Sequence, residues 1–495
     1  MNLYGFTDYD ALFDLIEYTK IRVSLFFKLI REYGLKNIDD LYHVCKKKLP
    51  KRDGVITSNI DSHIGRALDL LIYPKGEIIL PVARFYANKI KEYLLEKGVV
   101  NDIVLTKGLV RGEPTLDTID ILVSTSSIYK LKEAISSFYL FKRYEEEDKN
   151  CISFRSTRDH VFNIYVANKS YFGNASFYLS FSKKAKDLLE RRFSNYEFAY
   201  DKIVKDKNEY KFENEESLFK FLDIQFIPHD LRWDSESVEK AISFSIPELI
   251  EMKDIKGDLH LHTFFSDGEG YIEDAIQEAK SLKYSYIAIT EHSKSQKTGN
   301  GISVEDWLLE ADLVEMLNRM YKDFFVFIGL EVDILHDGGL DFPYELLKNM
   351  DIVLLALHHP EYGKLDPNEK IAYAMRSEIG SILAHPKDRY WGKDFPFVLD
   401  LDYLFYNARQ YKVALELSSI PDRIGFTAEE IKEGKKKSIR FAINSDAHAP
   451  GYLKNVDIGI IRARRGWLTK EDVVNTYSYE RLIEENILKR GTKIG

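Results

Sequence analysis

Histidines and carboxylates recur at the ends of short apolar runs in the second half of this 495-residue chain. The first run is Asp258-Leu-His260-Leu-His262, and IAIT then precedes Glu291-His292. FVFIGL precedes Glu331, VLLAL precedes His358-His359, SILA precedes His385, VALEL contains Glu416, and FAINS precedes Asp446-Ala-His448. His260 and His262 alternate along a strand, which points both to one face. The turn Ser266-Asp267-Gly268 follows and offers a carboxylate. Together His260, His262, Asp267, His292, Glu331, His358, His385, Asp446 and His448 make six imidazoles and three carboxylates. That donor set suits Zn²⁺, Mn²⁺ or Fe²⁺ better than Mg²⁺ or Ca²⁺, which prefer oxygen. Nine donors exceed one ion and fit two or three. The matching chemistry is phosphoester hydrolysis, in which divalent ions activate water and clamp the reacting oxygens. Arg423, and Arg465 in the run IRARRGWL, are the candidate catalytic cations, because a guanidinium fork matches phosphate oxygens. His336 and His359 lie outside the strand-end pattern.

Buried parallel strands read as short apolar runs. Helical patterns over Tyr271–Leu282, Val304–Tyr321, Asn368–Ile379 and Ala428–Lys436 alternate with these runs. Seven such units favour an α/β barrel over an open sheet, because donors from every strand must converge where barrel strands end.

The composition is that of a soluble globular protein, with 45% hydrophobic and 30% charged residues. No apolar run reaches the length of a membrane span, and the N-terminus MNLYGFTDYD lacks a signal region. The two cysteines, Cys45 and Cys151, make no disulfide framework and fit a reducing cytoplasm. Residues 1–250 hold about 38 basic and about 38 acidic groups, so the net charge of −9 lies in the second half. An acidic half argues against broad nucleic-acid binding there unless bound cations reverse the local field. The first 75 or so residues read as helical, with apolar spacing over Ala11–Tyr33, a stop at Gly34, and a second helix capped near Asn37 and running through Cys45. Val82–Glu96 fits a longer helix. DIVLT, TIDILVS, CISFRS and VFNIYVA are strand-like, with Lys130–Phe138 a helix between two of them. Residues 168–250 read as mostly helical and polar, and Pro247–Lys256 as a connection.

The runs KGDLHLHTFFSDG, TEHS, GLEVDI, LAHP, INSDAH and ARRGW resemble the polymerase and histidinol phosphatase (PHP) domain, in the version fused to bacterial and archaeal family-X DNA polymerases. The resemblance implies a distorted seven-stranded α/β barrel with a trinuclear centre. In it His260, His262, Glu331 and Asp446 would hold one metal. Glu331 would bridge to a second held by His358 and His385, and Asp267, His292 and His448 would hold the third. Two departures stand out: Glu291 takes the place of an aspartate, and His385-Pro-Lys387-Asp388 replaces a His-Pro-Thr-Gly pattern. The first half is similar to the polymerase, implying helical fingers over 1–99, a palm over 100–167, and a thumb-like region with linker over 168–250, before the barrel at 251–495. In the palm, LVRGEPTLDTIDILVS keeps Asp120 but has Thr118 where the first catalytic aspartate would stand, and VFNIYV gives Asn163 for the third. Lys107-Gly108 replaces the glycine-serine that grips a triphosphate, and Lys20-Ile-Arg22 replaces hairpin glycines that contact DNA.

The expectation is thus a metal-dependent phosphoesterase acting on DNA, as 3′→5′ exonuclease, abasic-site endonuclease or 3′-phosphatase, with an inactive polymerase-like module. Two alternatives remain open: a small-molecule phosphatase of the histidinol-phosphate or nucleotide type, and a non-catalytic DNA-binding scaffold. DNA is the expected partner, and no membrane is expected.

Overall fold

The computed structural model describes residues 6–47, 58–73, 76–145, 148–361 and 363–489. They form two compact units, one running through Glu248 and the other comprising Leu249 onwards together with Lys20–Arg22 and residues 58–61. No helix among the described residues is long and apolar enough to cross a membrane. Cys45 and Cys151 are both buried.

In the first unit the apolar stretch expected as one helix over Ala11–Tyr33 is two, Tyr9–Thr19 and Val23–Tyr33. Thr19 bonds back to the Leu15 carbonyl at 2.7 Å, and Lys20 then takes a φ of +54°. Periodicity alone does not report such a break, because apolar spacing resumes beyond it. Gly34 ends the second helix at φ +65°, and Asn37 caps Ile38–Lys47 by accepting from Asp40 N at 2.9 Å. A mixed five-stranded sheet follows, in the order Asp102–Leu105, Ile119–Ser124, Val161–Ala167, Cys151–Ser156, Phe141–Tyr144. Ile119–Ser124 and Val161–Ala167 run parallel, with Asp120 opposite Asn163.

Residues 168–250 are less helical than their composition suggests. Beside the helices Phe172–Ser180 and Lys183–Arg192 lies a three-stranded antiparallel sheet, Tyr196–Phe198, Ile203–Lys205 and Asn208–Tyr210. The strands are only three residues long, too short for an alternating pattern, and the last two are joined through Asp206 and Lys207, both at positive φ. Arg232, wholly buried, anchors this region. Its guanidinium meets the Glu215 carboxylate edge on at 2.9 and 2.6 Å and also reaches the Ile227 carbonyl and the Ser180 hydroxyl.

The second unit is a nearly closed barrel of seven parallel strands: β1 (Gly257–Leu261), β2 (Tyr286–Ile289), β3 (Phe325–Asp333), β4 (Ile352–Ala356), β5 (Ile382–Leu383), β6 (Ala414–Ser418) and β7 (Phe441–Asn444). They are hydrogen-bonded in that order, and β1 returns toward β7 through the bridge Leu261–Ala447, where His262 N donates to Ala447 O at 2.8 Å. Leu259, Ala288, Phe327, Leu354, Ile382, Ala414 and Ala442 pack inside the barrel, plugged by Val474, Tyr477 and Leu482. The alternate residues Ile287, Val326, Leu330, Val353, Leu383, Leu415 and Ile443 pack outward against the helices. The helix Ala428–Lys436 has the bounds its sequence pattern predicts.

The buried Arg232–Glu215 pair yields a stability prediction. Burial disfavours the Glu215 charge, but Arg232 and His229 outweigh it and hold the carboxyl well below the usual carboxylate range. A depressed folded-state pKa contributes stability that is complete above the unfolded value and is lost as pH falls through that value toward the folded one. Glu215→Ala should destabilise the first unit by about 3–5 kcal/mol, since it strands a buried guanidinium. Chemical denaturation at neutral and acid pH checks this: the gap between native and variant should narrow in acid.

Candidate metal centre

The candidate ligands reach one place because the inward residue near the carboxyl end of several barrel strands is polar. Glu331 continues the inward series of Phe327, Glu416 that of Ala414, and His358 that of Leu354 and Ala356. β1 needs an additional device. Its pairing with β2 shifts register between Asp258 and Leu261, so that Leu259 packs inside the barrel and Leu261 outside. Regular alternation would put both leucines on one face. The irregularity frees His260 and His262 to face the interior, and both are buried. His385 and Asp446, just beyond β5 and β7, have φ of +30° and +49°. Left-handed backbone at non-glycine residues is strained and clusters at functional sites. Gly268 lets the loop after β1 fold back on itself, since a Cβ there would come within 2.4 Å of the His262 carbonyl oxygen.

All nine donors singled out from the sequence lie together, in four overlapping groups: His262, Asp267, His292 and His448; His260, His262 and Glu331; His260, His385 and Asp446; His292, Glu331 and His358. Glu331 joins them through both of its oxygens. Its Oε2 lies 3.4 Å from His260 Nε2, 3.5 Å from His262 Nε2 and 2.8 Å from His292 Nδ1. Its Oε1 lies 2.8 Å from His385 Nε2 and 3.4 Å from His358 Nε2. Asp446 Oδ1 stands 3.2 Å from His262 Nε2 and 3.6 Å from His260 Nε2, and those two nitrogens are 3.3 Å apart. Asp267 Oδ1 stands 3.3 Å from His448 Nε2 and 3.6 Å from His292 Nε2.

Donor separations of roughly 3–3.5 Å are those around a first-row cation bonded at about 2.0–2.2 Å. Glu331 Oε2 and the Nδ1 atoms of His262 and His292 are buried and make no hydrogen bond of good geometry, although Glu331 Oε2 and His292 Nδ1 lie 2.8 Å apart. Buried polar atoms in native proteins are normally satisfied. Orphaned donor atoms, separations on the scale of ligand edges, and a mixed imidazole–carboxylate set all fit divalent cations.

Charge within the cluster is complementary. Burial opposes ionisation of Glu331 and Asp446, but the surrounding imidazoles hold both far below the usual carboxylate range. Burial likewise opposes charge on His358 and His448, yet Glu331 pushes the first, and Asp267 the second, up to about 10. His262 is pushed down to about 3, by burial and then by His292 and His448, which favours the neutral ring that ligation requires.

A supporting layer orients these side chains. Glu416 Oε1 accepts from His260 Nδ1 at 2.8 Å and from Asn444 Nδ2 at 2.7 Å, while its Oε2 accepts from His385 N at 2.8 Å. Asp333 pairs with His358 Nδ1, and Asp258 accepts from His260 N at 3.0 Å and Ser445 N at 2.9 Å. Glu291 accepts from Thr263 N at 2.7 Å, from the Thr263 hydroxyl at 2.6 Å and from the Ser266 hydroxyl, which secures the loop carrying Asp267. Such carboxylate–histidine contacts fix ring orientation around metals. Sequence reasoning flagged Glu416 as a strand-end residue but gave it no partner, and it missed Asp333. The cue was present, because Asp333 is two residues beyond Glu331 on the same strand face.

Of the two arginines, Arg423 reaches the cluster, with Nη1 3.4 Å from Asp446 Oδ2. Arg465 lies in the last turn of the helix Val456–Arg465, where Arg462 is the arginine that bonds to the Ser418 and Arg423 carbonyls, at 2.6 and 2.5 Å.

A second polar cluster lies in the five-stranded sheet of the first unit. Asp120 accepts from Thr118 Oγ1 at 2.7 Å and from Asn163 Nδ2 at 3.0 Å, and Lys107 Nζ is 3.6 Å from its Oδ1. Lys107 has a φ of +51°, and its ammonium lies 4.6 Å from the centre of the Tyr165 ring. The three positions expected to match palm carboxylates do converge, with one carboxylate among them.

The PHP domain family matches residues 258–436, the span that carries seven of the nine donors. Residues 258–436 are therefore a PHP domain, and the chain is a metal-dependent hydrolase of phosphoesters. Over 479 residues it is 26% identical to the DNA polymerase/3′-5′ exonuclease PolX of Bacillus subtilis (strain 168), covering 94% of this chain and 82% of that protein. It is 24% identical over 253 residues to a "probable phosphatase" of Thermoanaerobacter sp. (strain X514), covering 48% of this chain and 96% of that one. A second "probable phosphatase", from Proteus mirabilis (strain HI4320), is 24% identical over 211 residues, covering 40% and 81% respectively. The family resemblance drawn from the motifs holds.

The Glu416 contacts predict a measurable loss. Glu416→Ala leaves all nine donors in place but removes the acceptor from His260. Affinity for Mn²⁺ or Zn²⁺, titrated calorimetrically into metal-free protein, should fall about 10–100-fold with the fold intact by circular dichroism. Unchanged affinity would show that His260 is oriented without it.

Proposed function

We infer that this chain is a phosphoesterase acting on DNA, as a 3′→5′ exonuclease, abasic-site endonuclease or 3′-phosphatase in repair, and that its first half is a polymerase-like module without nucleotidyl transfer. The convergence of nine donors around a bridging Glu331 carries the reading. Two or three ions drawn from Mn²⁺, Zn²⁺ and Fe²⁺ suit the donor set. His260, His262, Glu331 and Asp446 would hold one, Glu331, His358 and His385 a second, and Asp267, His292 and His448 a third. When bound, such ions activate water and neutralise charge on phosphoryl oxygens.

The protein's own groups do the rest. Glu416, Asp333 and Asp258 fix the donor rings and backbone. Arg423, anchored on Asp446, offers its remaining N–H groups to a non-bridging phosphate oxygen. DNA is favoured as substrate because the similarity to PolX runs through both units. The relatives named phosphatases match about half of this chain or less, and they favour the second reading, a small-molecule phosphatase. Asp120 supports a polymerase-like half without transfer chemistry, because Lys107, Thr118 and Asn163 already satisfy its carboxylate.

Purified protein loaded with each metal should hydrolyse 3′-recessed, abasic or 3′-phosphate DNA faster than histidinol phosphate or free nucleotides. His260→Ala and exhaustive chelation should each abolish turnover. Rapid turnover of small monoesters with DNA untouched would select the phosphatase reading. Primer extension with all four deoxynucleoside triphosphates and Mn²⁺ should give no product, and extension lost in Asp120→Ala would refute the inactive assignment.

A further inference from the structure

The segment after His385 reads Pro386-Lys387-Asp388-Arg389-Tyr390-Trp391, so cationic and aromatic side chains follow a candidate ligand directly. Arg389–Tyr390 pairs antiparallel with Arg423–Ile424, with Tyr390 opposite Arg423. The Arg423 guanidinium lies 5.2 Å from the centre of the Tyr390 ring, and its Nη2 donates to the Tyr390 hydroxyl at 3.4 Å. Its Nη1 lies 3.4 Å from Asp446 Oδ2. One guanidinium thus spans from a candidate ligand to an aromatic ring at the rim.

The two-stranded ribbon is braced from behind. Trp391 N donates to the Asp422 carbonyl at 3.0 Å, and Arg462 holds the Arg423 carbonyl at 2.5 Å and the Ser418 carbonyl at 2.6 Å. Gly425 allows close packing, since a Cβ there would come within 2.5 Å of Asp388 Oδ1. Tyr390 nevertheless stays 38% exposed, and Arg389 is exposed beside it. Its ring is therefore fixed in position, attended by a cation, and still open to water. Stacking on an aromatic ring is a sequence-tolerant way to hold a nucleobase, because every base has a π face. The distance from phosphorus to base in a nucleotide is bridged by one sugar, and the distance from Asp446 to the ring by one guanidinium.

We propose that Tyr390 stacks on the nucleobase of the DNA-terminal nucleotide whose phosphate the cluster engages, so that the site selects phosphoesters that carry a base. The proposal rests on the DNA reading above in its 3′→5′ exonuclease and 3′-phosphatase forms, not in its abasic-site form. It is tested with the full chain on two 3′-phosphorylated duplexes that differ only in whether the terminal residue bears adenine or is abasic. The ratio of kcat/KM between them should fall roughly 5- to 100-fold in Tyr390→Ala, through KM, and be retained in Tyr390→Phe. In chelator, a terminal 2-aminopurine should be quenched on binding to native protein and to Tyr390→Phe, but not to Tyr390→Ala. An unchanged ratio, or equal quenching by all three proteins, overturns the proposal. An equal loss on both duplexes also overturns it, by assigning Tyr390 only to holding Arg423. If native protein cleaves neither duplex with any metal, the DNA reading fails, while the quenching measurement still decides whether Tyr390 stacks.

Discussion

A carboxylate shut away from water sits at the carboxyl end of the barrel, and its charge must be answered from inside the protein. Moving an ionised carboxylate out of water costs several kcal/mol unless partners compensate. Five imidazoles approach the two oxygens of Glu331 at 2.8–3.5 Å. They come from strands or loops scattered over more than a hundred residues, and the nearly closed parallel barrel brings them together. The register shift in β1 and the left-handed backbone at His385 and Asp446 follow from this requirement. Each left-handed residue costs about 1–3 kcal/mol and persists because its surroundings overdetermine it.

The barrel and the first unit handle buried charge in opposite ways. Around Glu331, donor atoms remain without hydrogen-bond partners, and outer carboxylates such as Glu416 and Asp333 fix the rings instead of neutralising the centre. Around Asp120, a lysine, a threonine and an asparagine complete the set. Glu215 and Arg232 illustrate the same closed accounting, with bidentate geometry and no oxygen left over.

The barrel was the most legible part of the sequence because its strands are buried on both faces and end in residues that have no place in an apolar core. A run such as VLLAL before His358 signals a strand and a site at once. The nine donors were legible for the same reason. The register shift in β1 was not, since Asp258-Leu-His260-Leu-His262 looks like simple alternation and only the pairing with β2 shows where Leu261 turns outward. Tertiary partners were hidden too: nothing near Glu416 in the chain announces His260, 156 residues away. Between the first two helices, the break at Lys20 was masked because apolar spacing resumes beyond it. The three-residue strands at 196–210 fall below the length at which alternation can be recognised.

The lysine beside Asp120 bears on how the chain responds to its surroundings. An ammonium tethered to the backbone cannot be stripped by a chelator or diluted away, so the first unit keeps its internal neutralisation whatever the ion supply. The barrel keeps buried donor atoms at its centre that find no hydrogen-bond partner within the protein. Scarcity of divalent ions would therefore bear on the hydrolytic half, whose chemistry depends on them, and leave the charge pairing around Asp120 untouched.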